Sequence, residues 1–504
     1  MKRNIIITII SCTAWMHSVL AQSAGDAMLF SRHYSGSTAR SAGMGGAFGA
    51  LGGDISVLSA NPAGLAVYRA SEFTFTPGLN FTNTRAEHDS RTFNEKKANF
   101  IVNNIGYVYT KNFYQEKGFQ NISFGVAYNR LSDFYSDTYV KRPAATSSLL
   151  DEFVFYANGY DDKNIPLPEN KLNAFYEGLA WNTYALDFDK NNNVYFSDYN
   201  DFGYGQPLYR SMSTRGGIGE YDFSIGANFN HTLFLGASLG IQNIYYQEYY
   251  YHEETPDFHY MNSFNFREEY SVNGWGVNFK AGVIYRPIQL FRLGVAIHTP
   301  NYFKMIPYQF TRMDTYWNNS PPDSDGEKYY QAEAENDSPD KYILRTPWQY
   351  SVSAATVIGK LGMLNVDIEV IDYSNSSISP KSTYDIENDE ISAILKTSVN
   401  VKTGAEFRLG PVYLRGGVGY YGNPYNKNQF DSDIRSMLKS TLSYSGGIGY
   451  RFRDFYMDVA YSFMKHPERI SNMYLSYDDT TEWYEQAKLR TNSGKFVLTF
   501  GFRF

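Results

Sequence analysis

The last ten residues read Lys495-Phe-Val-Leu-Thr-Phe-Gly-Phe-Arg-Phe504, and their alternation decides the fold. Five apolar side chains share one face of an extended strand, namely Phe496, Leu498, Phe500, Phe502 and Phe504. Alternation with a period of two predicts a β-strand with one apolar face. A soluble sheet that exposed such a row would aggregate, whereas a membrane barrel turns the row towards lipid. The stretch therefore predicts the closing strand of a transmembrane β-barrel.

The N-terminus has the pattern of an export signal. A basic pair precedes an apolar run over residues 5–10, and a mixed apolar stretch continues to the small residue Ala21. This pattern predicts a secretory signal peptide over residues 1–21. An alternative takes residues 9–12 as a lipoprotein cleavage site that would place a lipid on Cys12, although the apolar core before it is short. Cleavage after Ala21 removes this cysteine, the only one in the sequence.

The composition separates the classes of membrane protein. The mean hydropathy is −0.43, yet the sequence contains 45 tyrosines and 36 phenylalanines. A helical membrane protein needs runs of about 20 apolar residues, and the sequence after residue 21 has none. A barrel explains the mixture because every second side chain faces a wet lumen, while aromatic residues gather at the membrane interfaces. The formal charge of −7, or −9 without the signal peptide, argues against nucleic acid as a partner.

Residues 71–504 predict an all-β, antiparallel barrel of about fourteen strands. Short turns are predicted at one end, for example at Asn230-His231 and Arg286-Pro287. Long loops are predicted at the other end, the first over residues 83–97 and the largest over residues 133–217. Bacterial single-chain barrels have an even number of strands, short periplasmic turns and long extracellular loops. The pattern therefore predicts a bacterial outer-membrane barrel whose C-terminus is periplasmic.

The alternation also predicts which side chains face the lumen. On the strand that contains Trp275 the apolar side chains occupy odd positions, so the polar side chains between them point inward. The predicted inward polar residues are Asn278, Lys280, Asn365, Asp367, Glu369, Lys402, Glu406, Arg408, Arg415 and Asp458. Two interpretations stay open: an ion-pair network that stiffens the barrel, or a path for substrate.

Residues 22–70 are rich in glycine and lack strand periodicity. Gly43 and Gly45 begin a Gly-x-Gly pattern, but Phe48 occupies the third glycine position, so a dinucleotide-binding loop is rejected. Small residues instead allow a compact segment to pack closely inside a lumen. Asn61-Pro62 is a turn or helix-start signal.

Two motifs in this segment resemble a known family. The run Ala39-Arg-Ser-Ala-Gly-Met-Gly-Gly-Ala-Phe48 and the run Asn61-Pro62-Ala63-Gly64-Leu65 resemble the FadL/TodX-type outer-membrane transporters of long-chain fatty acids and aromatic hydrocarbons. The resemblance implies a fourteen-stranded barrel with an N-terminal hatch in its lumen, here residues 22–70, that includes Asn61, Pro62, Ala63 and Gly64. It also implies passive uptake of hydrophobic molecules.

The resemblance further implies a route, in which extracellular loops capture the molecule, the hatch moves, and the molecule leaves sideways through a kinked third strand. Here that strand covers residues 119–132, with Gly125 as the expected weak point because glycine weakens a strand. In the large loop, Ser148 and Asp151 predict a capping box, and residues 172–179 predict a second amphipathic helix. These helices are expected either to form an apolar landing site or to roof the barrel.

Three classes of partner are expected. Outer-membrane lipid and lipopolysaccharide would surround the barrel, and a hydrophobic small molecule would pass through it. A final strand that ends on an aromatic residue, here Phe504, resembles the signal that the outer-membrane barrel-assembly machinery reads.

Other functions stay open. A general polar porin is one alternative, although a plug of about fifty residues argues against it. A haem receptor is another, with iron ligands from His252, His259 and the tyrosines at 245, 246, 249, 250 and 251. A hydrolase would need partners for His298 and Thr299 that the sequence does not identify. A calcium-like loop at Asp189 lacks the required glycine and glutamate, so no metal site is predicted there. No catalytic or cofactor-binding residue is predicted either. The chain is not expected to be an enzyme.

Overall fold

The alternating segments form the wall of a closed antiparallel barrel. The computed structural model describes residues 24–34, 36–115, 117–159, 166–199, 203–256, 260–321, 324–336, 340–430, 432–477 and 482–504. The predicted signal peptide, Cys12 and His259 lie outside these residues. The strands of the described part are β1 (Glu72–His88), β2 (Arg91–Asn112), β3 (Phe119–Asp133), β4 (Ser136–Arg142), β5 (Asp187–Asp189), β6 (Val194–Phe196), β7 (Leu208–Phe229), β8 (Leu233–Glu254), β9 (Met261–Ile288), β10 (Phe291–His298), β11 (Tyr302–Trp317), β12 (Tyr329–Glu335), β13 (Tyr342–Arg345), β14 (Gln349–Ile358), β15 (Gly362–Asp372), β16 (Ser377–Ser379), β17 (Thr397–Leu409), β18 (Val412–Tyr421), β19 (Thr441–Phe452), β20 (Phe455–Lys465), β21 (Arg469–Tyr477) and β22 (Glu482–Arg503).

Fourteen of these strands make the wall. Their order is β1-β2-β3-β7-β8-β9-β10-β14-β15-β17-β18-β19-β20-β22, and each is antiparallel to its neighbours. The wall closes because β22 pairs with β1, beginning at Arg503↔Glu72. The predicted fourteen-stranded barrel is confirmed.

The helices are short. They are α1 (Ala24–Ser31), α2 (Ala39–Gly43), α3 (Val57–Ala60), α4 (Leu149–Ala157), α5 (Glu177–Asn182), α6 (Asp385–Ile394) and α7 (Ser432–Met437), with 3₁₀ helices at Pro62–Val67, Glu169–Lys171, Tyr373–Asn375 and Lys427–Gln429. Among the described residues, no helix is both long and apolar enough to cross a bilayer.

The outside of the wall is apolar, as the alternation predicts. On β9, Trp275 is 58% exposed and Phe279 is 48% exposed, while Asn278 and Lys280 between them are buried. On β22, Phe496 and Phe502 are exposed, and Val497 and Thr499 are buried on the inner side. The wall therefore presents aromatic and aliphatic side chains to lipid, as a transmembrane barrel must.

Several strands extend beyond the predicted ends at the long-loop side. The prediction of a long loop over residues 83–97 is wrong, because β1 and β2 remain paired as far as a two-residue turn at Asp89-Ser90. Similarly, β7 begins at Leu208 inside the predicted 133–217 loop and pairs there with β4. The inner faces of these extensions pack in an apolar cluster that includes Ala86 and Leu208, whereas their outer faces carry polar side chains such as Arg85. The outward apolar row that marks a membrane strand therefore does not continue into them, and hydrophobic alternation does not reveal them.

The short turns are partly as predicted. Asn230 and His231 have φ angles of 52° and 53°, which is the two-residue hairpin geometry that suits strand twist. The turn predicted at Arg286-Pro287 is wrong, because β9 continues to Ile288. The β9–β10 register is irregular opposite these residues, and a proline is tolerated at such a bulge.

The large loop forms a cap over the long-loop end of the barrel. Ser148 and Asp151 make the predicted capping box at the start of α4. The second helix begins later than predicted, at Glu177. Leu149 and Phe153 of α4 pack with Leu179 of α5 and with Phe266 on the inner face of β9, so both helices roof the barrel.

Candidate functional site

The N-terminal part of the described chain lies inside the barrel. We call residues 36–68 the luminal segment. Its backbone bonds to inward side chains spaced around the wall, since Ala39 N donates to Thr499 Oγ1 (2.8 Å) and Phe48 N donates to Asp367 Oδ2 (2.8 Å). On the opposite side, Asn121 Nδ2 donates to Ala66 O (3.2 Å). The segment therefore crosses the lumen and is held by the wall on all sides.

The predicted Asn61-Pro62-Ala63-Gly64 motif begins the 3₁₀ helix Pro62–Val67. Asn61 is its N-cap, because Asn61 Oδ1 accepts a hydrogen bond from Ala63 N (3.1 Å). Asn61 Nδ2 also donates to Gly49 O (2.6 Å), and Gly64 O accepts from Gly53 N (3.1 Å). The motif thus joins the two halves of the luminal segment.

Glycines in the wall allow the luminal segment to approach the strands. A Cβ at Gly282 would overlap Asn61 Oδ1, one at Gly236 would overlap Pro62, and one at Gly417 would overlap the Met44–Gly45 peptide. Each of these glycines lies at an inward position of its strand. Close packing was predicted only from the small residues of the luminal segment, and these wall glycines were not predicted. Their inward positions on the strands were the sequence feature that could have identified them.

Ion pairs connect the luminal segment to one side of the wall. Arg40 Nε lies 3.0 Å from Glu406 Oε2, which Arg415 Nε also binds at 2.7 Å. Arg415 continues to Asp458 (2.9 Å), and Lys402 pairs with Glu369. Nine of the ten predicted inward polar residues therefore face the lumen. The exception is Arg408. It is exposed because β17 ends one residue later, and its side chain donates to Gly410 O in the following turn.

An apolar chamber occupies the upper lumen, between the luminal segment and the cap. Its wall consists of Ile218, Ile244, Tyr246, Tyr270, Val272, Phe303, Met305, Tyr342, Leu344 and Ile371, and α1 fills it with Ala27, Met28 and Phe30. Phe30 packs edge-on against Tyr246, with ring centroids 5.9 Å apart. This chamber was not predicted, because β11 and β13, which contribute four of its residues, were expected to be part of a loop.

Gly125 lies in a regular part of the wall. It pairs with Val108 of β2 and Ser224 of β7, and its missing side chain makes room for Leu58 and Leu65 of the luminal segment. Pairing between β2 and β3 instead ends at Asn104↔Asn129, and the β3–β7 register shifts between Arg130 and Ser132.

We call the stretch beyond this point the seam, with residues 99–103 of β2 on one side and residues 130–133 of β3 on the other. Side chains bridge it, since Asn99 Nδ2 lies 3.5 Å from Asp133 Oδ1. From inside, Asn103 donates to the backbone of Gly36 and Ser37. On the outside, Phe100 is 67% exposed and Val102 is 38% exposed, so the outer face of β2 is apolar along the seam.

The residues that suggested haem binding do not form one cluster. Those that the structure describes lie on β8 rather than in a loop, and the strand sends Tyr245 and Tyr249 outward and Tyr246 and Tyr250 inward. His252 is buried and bonded to Glu254 (2.8 Å). Within the described ranges, no group of three His, Cys, Asp or Glu side chains that could hold a metal ion is found.

His298 and Thr299 take part in packing. His298 Nε2 bonds to Ala60 O (2.9 Å) of the luminal segment, and Thr299 Oγ1 accepts from Phe279 N (2.9 Å). At the cap, Asp189 accepts from two backbone N–H groups of its own turn, at Asn191 and Asn192.

The fold is similar to that of solved bacterial channels. A Pseudomonas aeruginosa FadL homologue matches with a TM-score of 0.52 and 13% identity, over 94% of this chain and 99% of that chain. The P. putida toluene transporter TodX matches with a TM-score of 0.51 and 11% identity, over 93% and 98% of the two chains. No protein-family model and no curated protein matches the sequence. At these identities the likeness is one of fold, and a closed barrel of this kind belongs to a bacterial outer membrane.

Proposed function

We propose that this chain is an outer-membrane channel for the passive uptake of hydrophobic molecules, with long-chain fatty acids as the first class to test. The single observation that carries the proposal is the apolar chamber in the upper lumen. The interior of a polar porin is lined by polar side chains, whereas this lumen buries aromatic and aliphatic side chains above its plug. The proteins of similar fold include a FadL homologue and a toluene transporter, and toluene is a hydrophobic molecule.

The luminal segment is proposed to act as the hatch. It blocks a direct route to the periplasm because it bonds to strands around the wall, and the ion pairs of Arg40 hold it there. Asn61, Pro62, Ala63 and Gly64 are the proposed hinge, since the Asn61 side chain joins the Gly49 turn to the 3₁₀ helix.

The seam is the proposed exit. The chamber lies above the hatch, and the wall beside it lacks backbone pairing between β2 and β3. Separating side chains across the seam costs less than breaking a ladder of backbone hydrogen bonds. Gly125, which pairs on both sides, then serves to seat Leu58 and Leu65 rather than to open the wall.

Uptake by cells tests the proposal. We expect cells that produce the chain to take up a radiolabelled long-chain fatty acid faster than cells that lack it, at equal outer-membrane integrity. An exposed-surface variant, Lys360→Gln in the β14–β15 turn, is the matched control and retains uptake. Equal uptake with and without the chain would contradict fatty-acid transport.

A further inference from the structure

The outer face of the wall is strongly apolar on the four neighbouring strands β20, β22, β1 and β2. Residues that lie directly opposite each other on paired strands point to the same side of the sheet, so they form rows across the wall. Two successive outward rows consist of Tyr461, Phe496, Leu79 and Phe100, followed by Phe463, Gly494, Phe81 and Ala98. The aromatic and leucine side chains of both rows are at least 36% exposed, so the surface that faces lipid reaches this height.

The next two outward rows, towards the long-loop end, are basic. They consist of Lys465, Asn492, Asn83 and Lys96, followed by Arg490, Arg85 and Asn94. We call these two rows the basic patch. Successive outward rows lie about 6.8 Å apart along a strand, and neighbouring strands lie about 4.8 Å apart. Four exposed cations therefore share an area about 15 Å wide, directly above the apolar rows.

The basic patch contains more cations than carboxylates. Arg490 Nε lies 2.8 Å from Glu468 Oε1, but both side chains are exposed, at 49% and 35%. Such a surface pair contributes little. Among the residues that the structure describes, no carboxylate forms an ion pair with Arg85, Lys96 or Lys465, and the Arg85 guanidinium donates to Thr92 Oγ1 (3.2 Å) instead. The patch therefore carries three positive charges that the protein does not compensate.

Two of the cations oppose each other. Arg85 of β1 pairs directly with Arg490 of β22. Like charges at directly opposite positions destabilise a sheet, because their Cβ atoms are about 5 Å apart. An anion bound between the two guanidinium groups removes this repulsion, and a phosphate suits them because it accepts two parallel hydrogen bonds from one arginine.

We propose that the basic patch binds the phosphorylated sugar head of lipopolysaccharide, while the acyl chains of the same molecule lie on the apolar rows below. The phosphates of such a lipid lie just above its acyl chains, and the wall has its cations and apolar side chains in the same order. Asn83 and Asn492, between the two lysines, supply amide N–H groups for sugar hydroxyls. The site is on the outside of the wall, so it goes beyond the uptake function and does not depend on it.

Three lipids test the proposal: lipid A with both phosphates, the same lipid A after removal of both phosphates, and phosphatidylglycerol. Binding of each radiolabelled lipid is measured by scintillation proximity on the full chain in detergent micelles. We expect intact lipid A to bind at least tenfold more tightly than either of the other two lipids, because only intact lipid A combines two phosphates with a sugar head.

The double variant Arg85→Gln/Arg490→Gln removes the opposed cations and keeps polar side chains at both positions. We expect it to weaken binding of lipid A at least fivefold and to leave binding of the dephosphorylated form unchanged. Lys96→Gln/Lys465→Gln, in the other basic row, should have the same effect. The matched control is Lys117→Gln/Lys360→Gln, which removes two exposed cations at the short-turn end and should bind all three lipids as the parent chain does.

Thermal unfolding separates ligand binding from support of the wall. Without lipid A, we expect Arg85→Gln/Arg490→Gln to unfold at the same temperature as the parent chain or higher, because it lacks the repulsion between the two arginines. Lipid A should raise the unfolding temperature of the parent chain more than that of the variant. A variant that is less stable than the parent without lipid A would show that the arginines support the wall, and would contradict the proposal.

Two binding results would also overturn the site. Equal affinity for intact and dephosphorylated lipid A would show that the phosphates are not recognised. Equal affinity for lipid A and phosphatidylglycerol, or an equal loss in Arg85→Gln/Arg490→Gln and in Lys117→Gln/Lys360→Gln, would show that the cations attract any anionic lipid without a defined site.

Discussion

Asn61 depends on a residue that is far from it in the sequence. Its side chain caps the 3₁₀ helix only because Gly282 of β9 has no Cβ. The same relation holds between Pro62 and Gly236. A one-residue change in the wall therefore acts on the luminal segment as directly as a change in the segment itself.

Gly282→Ala and Asn61→Ala are expected to have the same effect. Each removes the Asn61 cap, which costs about 1 kcal/mol, and each loosens the bond to Gly49 O. We expect ion conductance in planar bilayers to rise in both variants. Gly416→Ala is the matched control, because a Cβ there would meet no atom within 4 Å. Unchanged conductance in Gly282→Ala would show that the contact does not hold the luminal segment in place.

Glu152 makes the cap sensitive to pH. Burial is the main cause that raises the pKa of Glu152 from its ordinary 4.5 to about 7, against the lowering effect of a hydrogen bond from Leu475 N. The folded cap therefore binds the proton more tightly than the unfolded chain does. Its stability is greatest at acid pH and falls, by at most about 3 kcal/mol, as pH rises from about 4.5 to above 7.

Hydrogen exchange of α4 measures this dependence. In the parent chain, we expect protection of the α4 amides to decrease between pH 5 and pH 8 after correction for intrinsic rates. Glu152→Gln should remove the decrease, and Glu169→Gln, at an exposed position of the same cap, should keep it. A parent chain whose corrected protection does not vary with pH would refute the assignment.

Among the elements, β15 holds the turn between α2 and α3. Asp367 accepts hydrogen bonds from Phe48 N (2.8 Å) and Gly49 N (3.0 Å), and both peptide groups are buried. Hydrogen bonds to a charged group contribute about 1.5–3 kcal/mol each, so this carboxylate is a main anchor of the luminal segment.

Asp367→Asn is expected to release that turn. Amide exchange at Phe48 and Gly49 should accelerate at least tenfold, while the barrel remains folded as judged by its resistance to denaturation in detergent. Asp372→Asn, five residues further along β15, is the control because Asp372 bonds only to nearby Ser374 and Asn375 side chains. Equal exchange in Asp367→Asn and the parent chain would contradict the anchoring role.

At the scale of the whole molecule, the wall was predictable and most of the interior was not. Alternation along β9 and β22 fixes which side chains meet lipid, because the lipid accepts only apolar groups. The capping box at Ser148 was predictable because it depends only on residues close together in the sequence. The chamber, the seam and the glycine partners of Asn61 depend on contacts between distant strands, which local patterns do not encode.

The central claim is that apolar molecules pass through the lumen and leave through the wall at the seam. The most direct measurement is uptake of radiolabelled dodecanol by cells that carry Asn99→Cys/Asp133→Cys, whose side chains bridge the seam. We predict that oxidation to the disulfide stops uptake and that a reductant restores it. A disulfide between Thr110→Cys and Ser123→Cys, partners in the closed part of the β2–β3 ladder, should have no effect. Undiminished uptake through the oxidised seam would contradict the claim.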